Sequence, residues 1–234
     1  MFTVALIGGD GAGKSTIAEK LEASSEFTAK TIYLGMSTQS SNFSLPTSKI
    51  VYFFKKKRYQ TEVESTGKTP EDKIPAYYYE NKNKKRSLIW VIGRFVNRLA
   101  ELIYRQWIAW KYLRKGIVVI YDRHIIFEST PDVGTKHTKK SDGIFYWIVD
   151  HLFPKPDLSI LLDAPAEVLY ARKQESTLEH LSRRRLAYIE KGKNTKNFFI
   201  VDATQRPENV YKDVLHLILD YSSGHNISLQ AQSL

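Results

Sequence analysis

Gly8-Gly9-Asp10-Gly11-Ala12-Gly13-Lys14-Ser15 stands between a short apolar run, Phe2-Thr3-Val4-Ala5-Leu6-Ile7, and a segment whose apolar residues Ile17, Ala18 and Leu21 fall on one helical face. The eight residues fit G-x-x-x-x-G-K-[ST], the phosphate-cradling P-loop, in the strand–loop–helix context that the motif requires. Glycines let the backbone turn its N–H groups inward and approach phosphates with no Cβ in the way. A helix beginning near Gly13 adds its positive dipole end. Lys14 is expected to reach the β- and γ-phosphates of a nucleoside triphosphate, and the Ser15 hydroxyl to ligate Mg²⁺. Gly8, Gly9, Asp10, Gly11, Ala12, Gly13, Lys14, Ser15 and Thr16 are thus the expected nucleotide-binding loop. A glycine turn that merely caps a helix is the plainer alternative, but it needs neither Lys14 nor Ser15.

The other strands read outward from this loop. Thr31-Ile32-Tyr33-Leu34, Ile117-Val118-Val119-Ile120-Tyr121, Leu158-Ser159-Ile160-Leu161-Leu162 and Asn197 to Val201 are short and mostly apolar. Between them, Ser87 to Lys115 carries apolar residues at three- and four-residue spacing and is the strongest helix signal. Gly116 follows where a helix-ending glycine is expected. Gly143 to Leu152, two short segments within Pro165 to Glu190, and an amphipathic stretch opened by Pro207 complete the helices. Nearly continuous apolar strands alternating with helices predict an α/β fold of three layers. Its parallel sheet has about five strands, with helices on both faces. In such sheets ligands gather at the carboxyl ends of strands. The loop 8–15, Asp122-Arg123, Asp163 and Asp202 to Gln205 all follow strands and are expected to share one crevice.

The chain of 234 residues, 42% hydrophobic, suits one such domain, 1–234, carrying an insertion. Residues 36–86, rich in Ser, Thr, Lys and Asn, read as that insertion. There is no cysteine, hence no disulfide framework and no thiol chemistry, and a reducing cytoplasm is the expected setting. The first strand begins at once, and no signal peptide is expected. No apolar run approaches the ~20 residues of a membrane span. The net charge of +10 is uneven. Lys49 to Lys115 holds 17 Lys and Arg against 6 Asp and Glu, and the remainder 18 against 19. Nucleic acid, an acidic membrane surface, a polyanionic substrate or simple solvation would each account for the excess. The apolar stripe of 88–113 is wide enough for burial on two sides, and a second copy of the chain is one partner it suits.

The motifs sort the chain among P-loop proteins. Asn81-Lys82-Asn83-Lys84 lacks the Asp of a guanine-reading N-K-x-D and follows no strand. The strand at 117–121 ends in Asp122-Arg123 and not in the Asp-Glu of water-activating ATPases. A cation there suits a phosphorylated or anionic acceptor better than water.

Four segments then resemble the thymidylate kinases and their relatives: Gly8 to Thr16 with its third-place Asp10, Arg114 to His124, Pro156 to Lys173, and Ile200 to Val210. The resemblance covers the first ~35 residues and roughly 113–220. It implies a lid at about 165–191 and an ATP–Mg²⁺-dependent transfer of phosphate to a small nucleotide-like or other metabolite acceptor. It also implies an acceptor-sugar role for Asp10, and Thr204 in an adenine-side loop. It departs on the acceptor side. Gly35-Met36-Ser37-Thr38 stands where those enzymes carry Arg-Glu-Pro-Gly, and Ile125 to Pro131 replaces their Ala-Tyr-Gln stretch. The donor apparatus is kept, while thymidylate as acceptor is not supported.

The expected catalytic residues are Lys14, Asp10, Asp122, Arg123 and Arg172. Asp122 is to face Mg²⁺ or the acceptor, and Arg123 is to neutralise phosphate charge. Arg172 is to come from the lid onto the transferring phosphoryl group. Ser15 and Asp122 are the expected metal-facing pair. Asp10 in an Asx turn, Asp122 as a cap and Arg123 in a salt bridge are the structural alternatives. A rival from another class is a nucleotide-dependent binding protein that uses the basic segment 49–115 on nucleic acid or an anionic membrane.

Overall fold

In the computed structural model, residues 1–35, 43–45, 88–128, 140–174, 176–227 and 229 are described. The expected basic insertion, 36–86, lies outside them except for residues 43–45. Five strands form one parallel sheet: β1 (Thr3–Ile7), β2 (Ala29–Leu34), β3 (Val118–His124), β4 (Leu158–Asp163) and β5 (Phe198–Asp202). Their order is β2-β3-β1-β4-β5. The described helices are α1 (Lys14–Glu22), α2 (Leu88–Arg114), α3 (Ile125–Glu128), α4 (Lys140–Leu152), α5 (Ala166–Arg172), α6 (Leu178–Lys193) and α7 (Pro207–Gly224). This is the three-layer α/β fold that the strand pattern predicts.

Every residue of β1 is buried, as its unbroken apolar run requires of a central strand. It pairs with β3 (Val4 beside Ile120) and with β4 (Leu6 beside Ile160). Thr3 and Asp157 fix the start of that second pairing. The Thr3 N–H and hydroxyl both donate to Asp157 Oδ2 at 2.8 Å, and the Asp157 N–H donates to Thr3 Oγ1 at 2.9 Å. One core packs Ile17 and Leu21 of α1 and Val210, Val214 and Ile218 of α7 with Val4, Leu6, Ile120 and Ile160 of the sheet. β1 therefore runs out between two neighbours whose connections leave in opposite directions, the place where open α/β sheets carry their ligand crevice.

The helix expected over 87–115 spans Leu88–Arg114. It ends because Gly116 takes φ 79, with its N–H on the Leu113 carbonyl and the Ile117 N–H on the Tyr112 carbonyl. β3 runs three residues beyond the expected apolar run and carries Asp122, Arg123 and His124 as its last residues. The chain divides into two compact units, residues 1–43 with 105–234, and residues 44–104. The first holds the sheet and every site residue named above. In the second, Glu101 is buried and accepts a hydrogen bond from the Leu45 N–H at 3.1 Å.

Candidate active site

The loop after β1 is held by backbone that only glycine takes easily. Gly8, Gly11 and Gly13 have φ of 150°, 89° and 86°. A Cβ on Gly8 would stand 2.7 Å from the Leu162 carbonyl oxygen, and one on Gly11 2.7 Å from that of Leu169. The loop is thus pressed against the end of β4 and against α5. Gly13 caps α1 without any side-chain hydrogen bond, so the first-turn N–H groups are left for an anion.

Lys14 opens the helix with 5% of its surface exposed, and its Nζ donates to the Gly9 carbonyl at 2.7 Å. Burial, seconded by the Arg123 charge, pulls its pKa down to about 8 against the pull of Asp10, Asp122 and Glu128. The next residue looks across to β3: Ser15 Oγ donates to Asp122 Oδ2 at 2.7 Å. The other oxygen, Asp122 Oδ1, is buried with no hydrogen-bond partner. A hydroxyl beside a carboxylate with one idle oxygen is a hard-oxygen pair that suits Mg²⁺. Among the described residues no cluster of three His, Cys, Asp or Glu is placed to hold a metal. A cation here would take its remaining ligands from water and nucleotide phosphates.

Arg123 follows at φ 68, a left-handed backbone that side-chain-bearing residues seldom adopt. Its Nη2 is paired with Asp10 Oδ1, and its Nη1 with Glu128 Oε1 at 2.9 Å. Burial works to raise the Asp10 pKa, but the charges of Arg123 and Lys14 outweigh it and hold the carboxyl low. Burial alone would lower the Arg123 pKa, and Glu128 and Asp10 together raise it. His124 turns away into the protein, with its ring edge-on to Tyr121 and Phe153. Burial pushes its pKa down to about 3. It is a neutral neighbour of the site.

The far side of the crevice is a chain of hydrogen bonds. Arg185 of α6 grips Asp163 with two bonds of 2.7 Å. The Asp163 carbonyl takes the Ala203 N–H at 2.7 Å. Arg172 donates from Nη1 to the Ala203 carbonyl at 2.8 Å. Thr204 is folded into a turn by Asp202 Oδ1, which accepts from the Thr204 N–H at 2.8 Å and hydroxyl at 2.6 Å. A Cβ on Gly11 would come 3.5 Å from the Cβ of Arg172, so Arg172 reaches this loop from beside the glycines.

The structure therefore brings Ser15 to Asp122 and Asp10 to Arg123, with Lys14 within electrostatic reach of all three charged groups. It places Arg172 on the carbonyl of Ala203, next to Thr204. The sequence reading placed Asp163 in the crevice and weighed Arg183 to Arg185 as helpers of the lid or a solvated face, but it left out Glu128 and the pairing of Arg185 with Asp163. A carboxylate five residues after an arginine is no motif, and Arg185 reads as one of three in a basic run.

No protein-family model matches the chain. A thymidylate kinase of Thermosipho africanus is 22% identical over 59% of this chain and 70% of its own length. A probable thymidylate kinase of Pyrobaculum aerophilum is 30% identical over 45% of this chain and 56% of that protein. One of Saccharolobus solfataricus is 35% identical over 31% and 42%. Two solved structures of a deoxyadenosine kinase from M. mycoides share the fold. One, with dCMP and dCDP bound, has a TM-score of 0.51 at 15% identity, covering 93% of this chain and 99% of that one. The other, with dATP bound, has a TM-score of 0.52 at 14% identity, covering 94% and 100%.

Proposed function

We propose that this chain, a thymidylate kinase-like P-loop nucleotide kinase, transfers the γ-phosphoryl group of ATP to a small nucleotide-like or other metabolite acceptor. The observation that carries the reading is the Ser15–Asp122 hydrogen bond with the idle Asp122 Oδ1 beside it, at the mouth of the glycine loop. Ser15 and Asp122 would hold Mg²⁺, which would supply positive charge against the phosphates. Lys14 is positioned to leave the Gly9 carbonyl for the phosphate oxygens. Asp10 and Arg123 face the acceptor. Arg172 is assigned to the transferring phosphoryl group, held at the crevice by the Ala203 carbonyl, and Thr204 to the adenine side. Catalysis here is positioning and charge neutralisation, with little covalent chemistry for the protein to do.

A homodimer is part of the proposal. Ile92, Val96 and Ile103, then Trp107 and Trp110, are all exposed at helical spacing along α2. So is a cytoplasmic setting, where ATP is at hand. No helix among the described residues is long and apolar enough to cross a membrane.

A panel of nucleosides, nucleotides and phosphorylated metabolites assayed for ATP consumption, against acceptor-free hydrolysis, tests the reading. At least one acceptor is expected to raise consumption well above the control. dTMP is expected to be poor, with kcat/KM below the roughly 10⁴ M⁻¹s⁻¹ of an ordinary enzyme on its substrate. Consumption that no acceptor stimulates, together with salt-steep binding to DNA or anionic vesicles, would favour the binding protein instead.

A further inference from the structure

Among the described residues, Arg105 of α2 is the largest side chain to be buried almost completely, with 2% of its surface exposed. Its guanidinium grips backbone. Nη1 donates to the Gly35 carbonyl at 3.1 Å, and Nε donates to the Phe43 carbonyl at 3.2 Å. One side chain thus holds the chain where it leaves β2 and again at Phe43. The Tyr33 ring closes over the first of these points. A Cβ on Gly35 would stand 2.5 Å from the Tyr33 hydroxyl, and the guanidinium carbon lies 6.0 Å from the centre of the same ring. Phe43 rests against Tyr112 of α2, with ring centres 6.5 Å apart. The neighbouring Gln106 accepts from the Tyr121 hydroxyl at 3.1 Å, which docks this stretch of helix on β3.

From this arrangement we infer that Arg105 is a positioning residue for the acceptor: it fixes the β2 end of the crevice without touching substrate. The inference rests on the phosphotransferase reading and adds to it a residue remote from the glycine loop. β2 pairs with β3 so that Tyr33 lies beside Asp122 and Leu34 beside His124. Gly35 therefore leaves the sheet next to the end of β3 that carries Asp122 and Arg123. In the order β2-β3-β1-β4-β5, this edge and the β4–β5 edge lie on opposite sides of β1. Arg172 and Thr204 stand at the β4–β5 side. With the donor on the glycine loop and on that side, the room over β3 and β2 falls to the acceptor. The carbonyls of a chain leaving a strand need donors, and a cation supplies stronger ones than a neutral group does. The planar fork of a guanidinium sets direction as well as distance, which an ammonium on a flexible stem does not. Burial keeps water from replacing either bond. A misplacement of about 1 Å at such a wall is enough to cost about 10²-fold in rate, so the clasp is felt in the kinetics although it lies outside the chemistry.

Two variants of the full chain test this. Arg105→Lys keeps the charge and loses the fork. Gly35→Ala leaves Arg105 in place and forces the Tyr33 ring off the backbone. Steady-state kinetics take as acceptor whichever of the four deoxynucleosides and their 5′-monophosphates the wild-type chain phosphorylates best, with ATP and acceptor varied in turn. Each variant is expected to raise the acceptor KM by about tenfold or more, with kcat and the ATP KM within about twofold of wild type. Amide exchange is expected to quicken in the peptides that hold Gly35 and Phe43 and to stay unchanged in the glycine loop. Equal losses for acceptor and ATP would make Arg105 a merely structural residue and overturn the inference. An acceptor KM that stays unchanged while exchange quickens overturns it too. If Arg105→Lys shows no cooperative melt, Gly35→Ala decides alone. If the wild-type chain phosphorylates none of these molecules, the phosphotransferase reading falls, and their equilibrium binding to the chain loaded with a non-hydrolysable ATP analogue takes the place of KM. Binding weakened about tenfold in the variants then upholds the positioning role, and binding that is unchanged or absent overturns it.

Discussion

Lys14 is a cation almost wholly out of water, with its Nζ on the carbonyl of Gly9. Phosphate oxygens offer what that carbonyl cannot, a full counter-charge. Nucleotide binding should therefore take up a proton at any pH above about 8, where the free side chain is losing one. Affinity for an ATP analogue is expected to fall as pH rises past 8, and titration calorimetry in buffers of different ionisation heat should register the proton uptake. Lys14→Ala removes both effects and the transfer activity while leaving a folded chain; a variant with wild-type turnover would empty the motif of its meaning. His124 bears on stability in the opposite pH range. Its folded pKa of about 3 lies below its ordinary value of 6.5, because the buried ring resists charging. Between those values the unfolded chain binds a proton that the folded one refuses. Stability from this residue is intact above 6.5 and is lost as pH falls towards 3. His124→Phe is expected to flatten the acid limb of a Tm-against-pH curve, and an unchanged limb would assign it to other groups.

At the scale of elements, glycine separates two kinds of position. In the loop before α1, a Cβ at Gly11 meets the Leu169 carbonyl oxygen at 2.7 Å and a backbone at φ 89. In the second turn of α2, a Cβ at Gly93 meets nothing within 4 Å. Gly93→Ala should thus stabilise the chain by about 0.5–1 kcal/mol through helix propensity, whereas Gly11→Ala should lower Tm and abolish binding of the ATP analogue. Thermal melts of the two variants side by side check the pair. The loop was legible in sequence because its information is local: eight consecutive residues set backbone, cation and hydroxyl together. Asp122 was legible too, as the last acid of an apolar strand. Glu128 was not. Its meaning depends on Arg123 taking a left-handed backbone and on Asp10, more than a hundred positions earlier, arriving at the other Nη. Arg185 likewise needs the placement of α6 over β4 before one arginine of three is singled out. Contacts of that range are fixed by packing, and no spacing rule carries them.

For the molecule as a whole, the unbroken apolar strands and their helical separators were enough to foresee a three-layer parallel α/β fold, because burial on both faces leaves such strands few other homes. The division at residues 43 and 104 was less legible, since the composition of 36–86 says only that the segment is polar. The strand order carries a consequence for how the chain is made. β1 is synthesised first, yet its two partners are residues 119–122 and 158–161. While the ribosome is still working towards β4, the most apolar strand of the protein has at best one neighbour, and its other edge is open. Loop closure over such spans is slow, and an unpaired apolar strand invites association with other nascent chains. A chain ending at residue 156 is expected to show no cooperative melt and to aggregate, although it holds the entire glycine loop and Asp122. A sharp thermal transition in that fragment would show that β1 and β3 close without β4. By the same order of synthesis, the glycine loop is expected to gain its full surroundings only once β4 has joined β1.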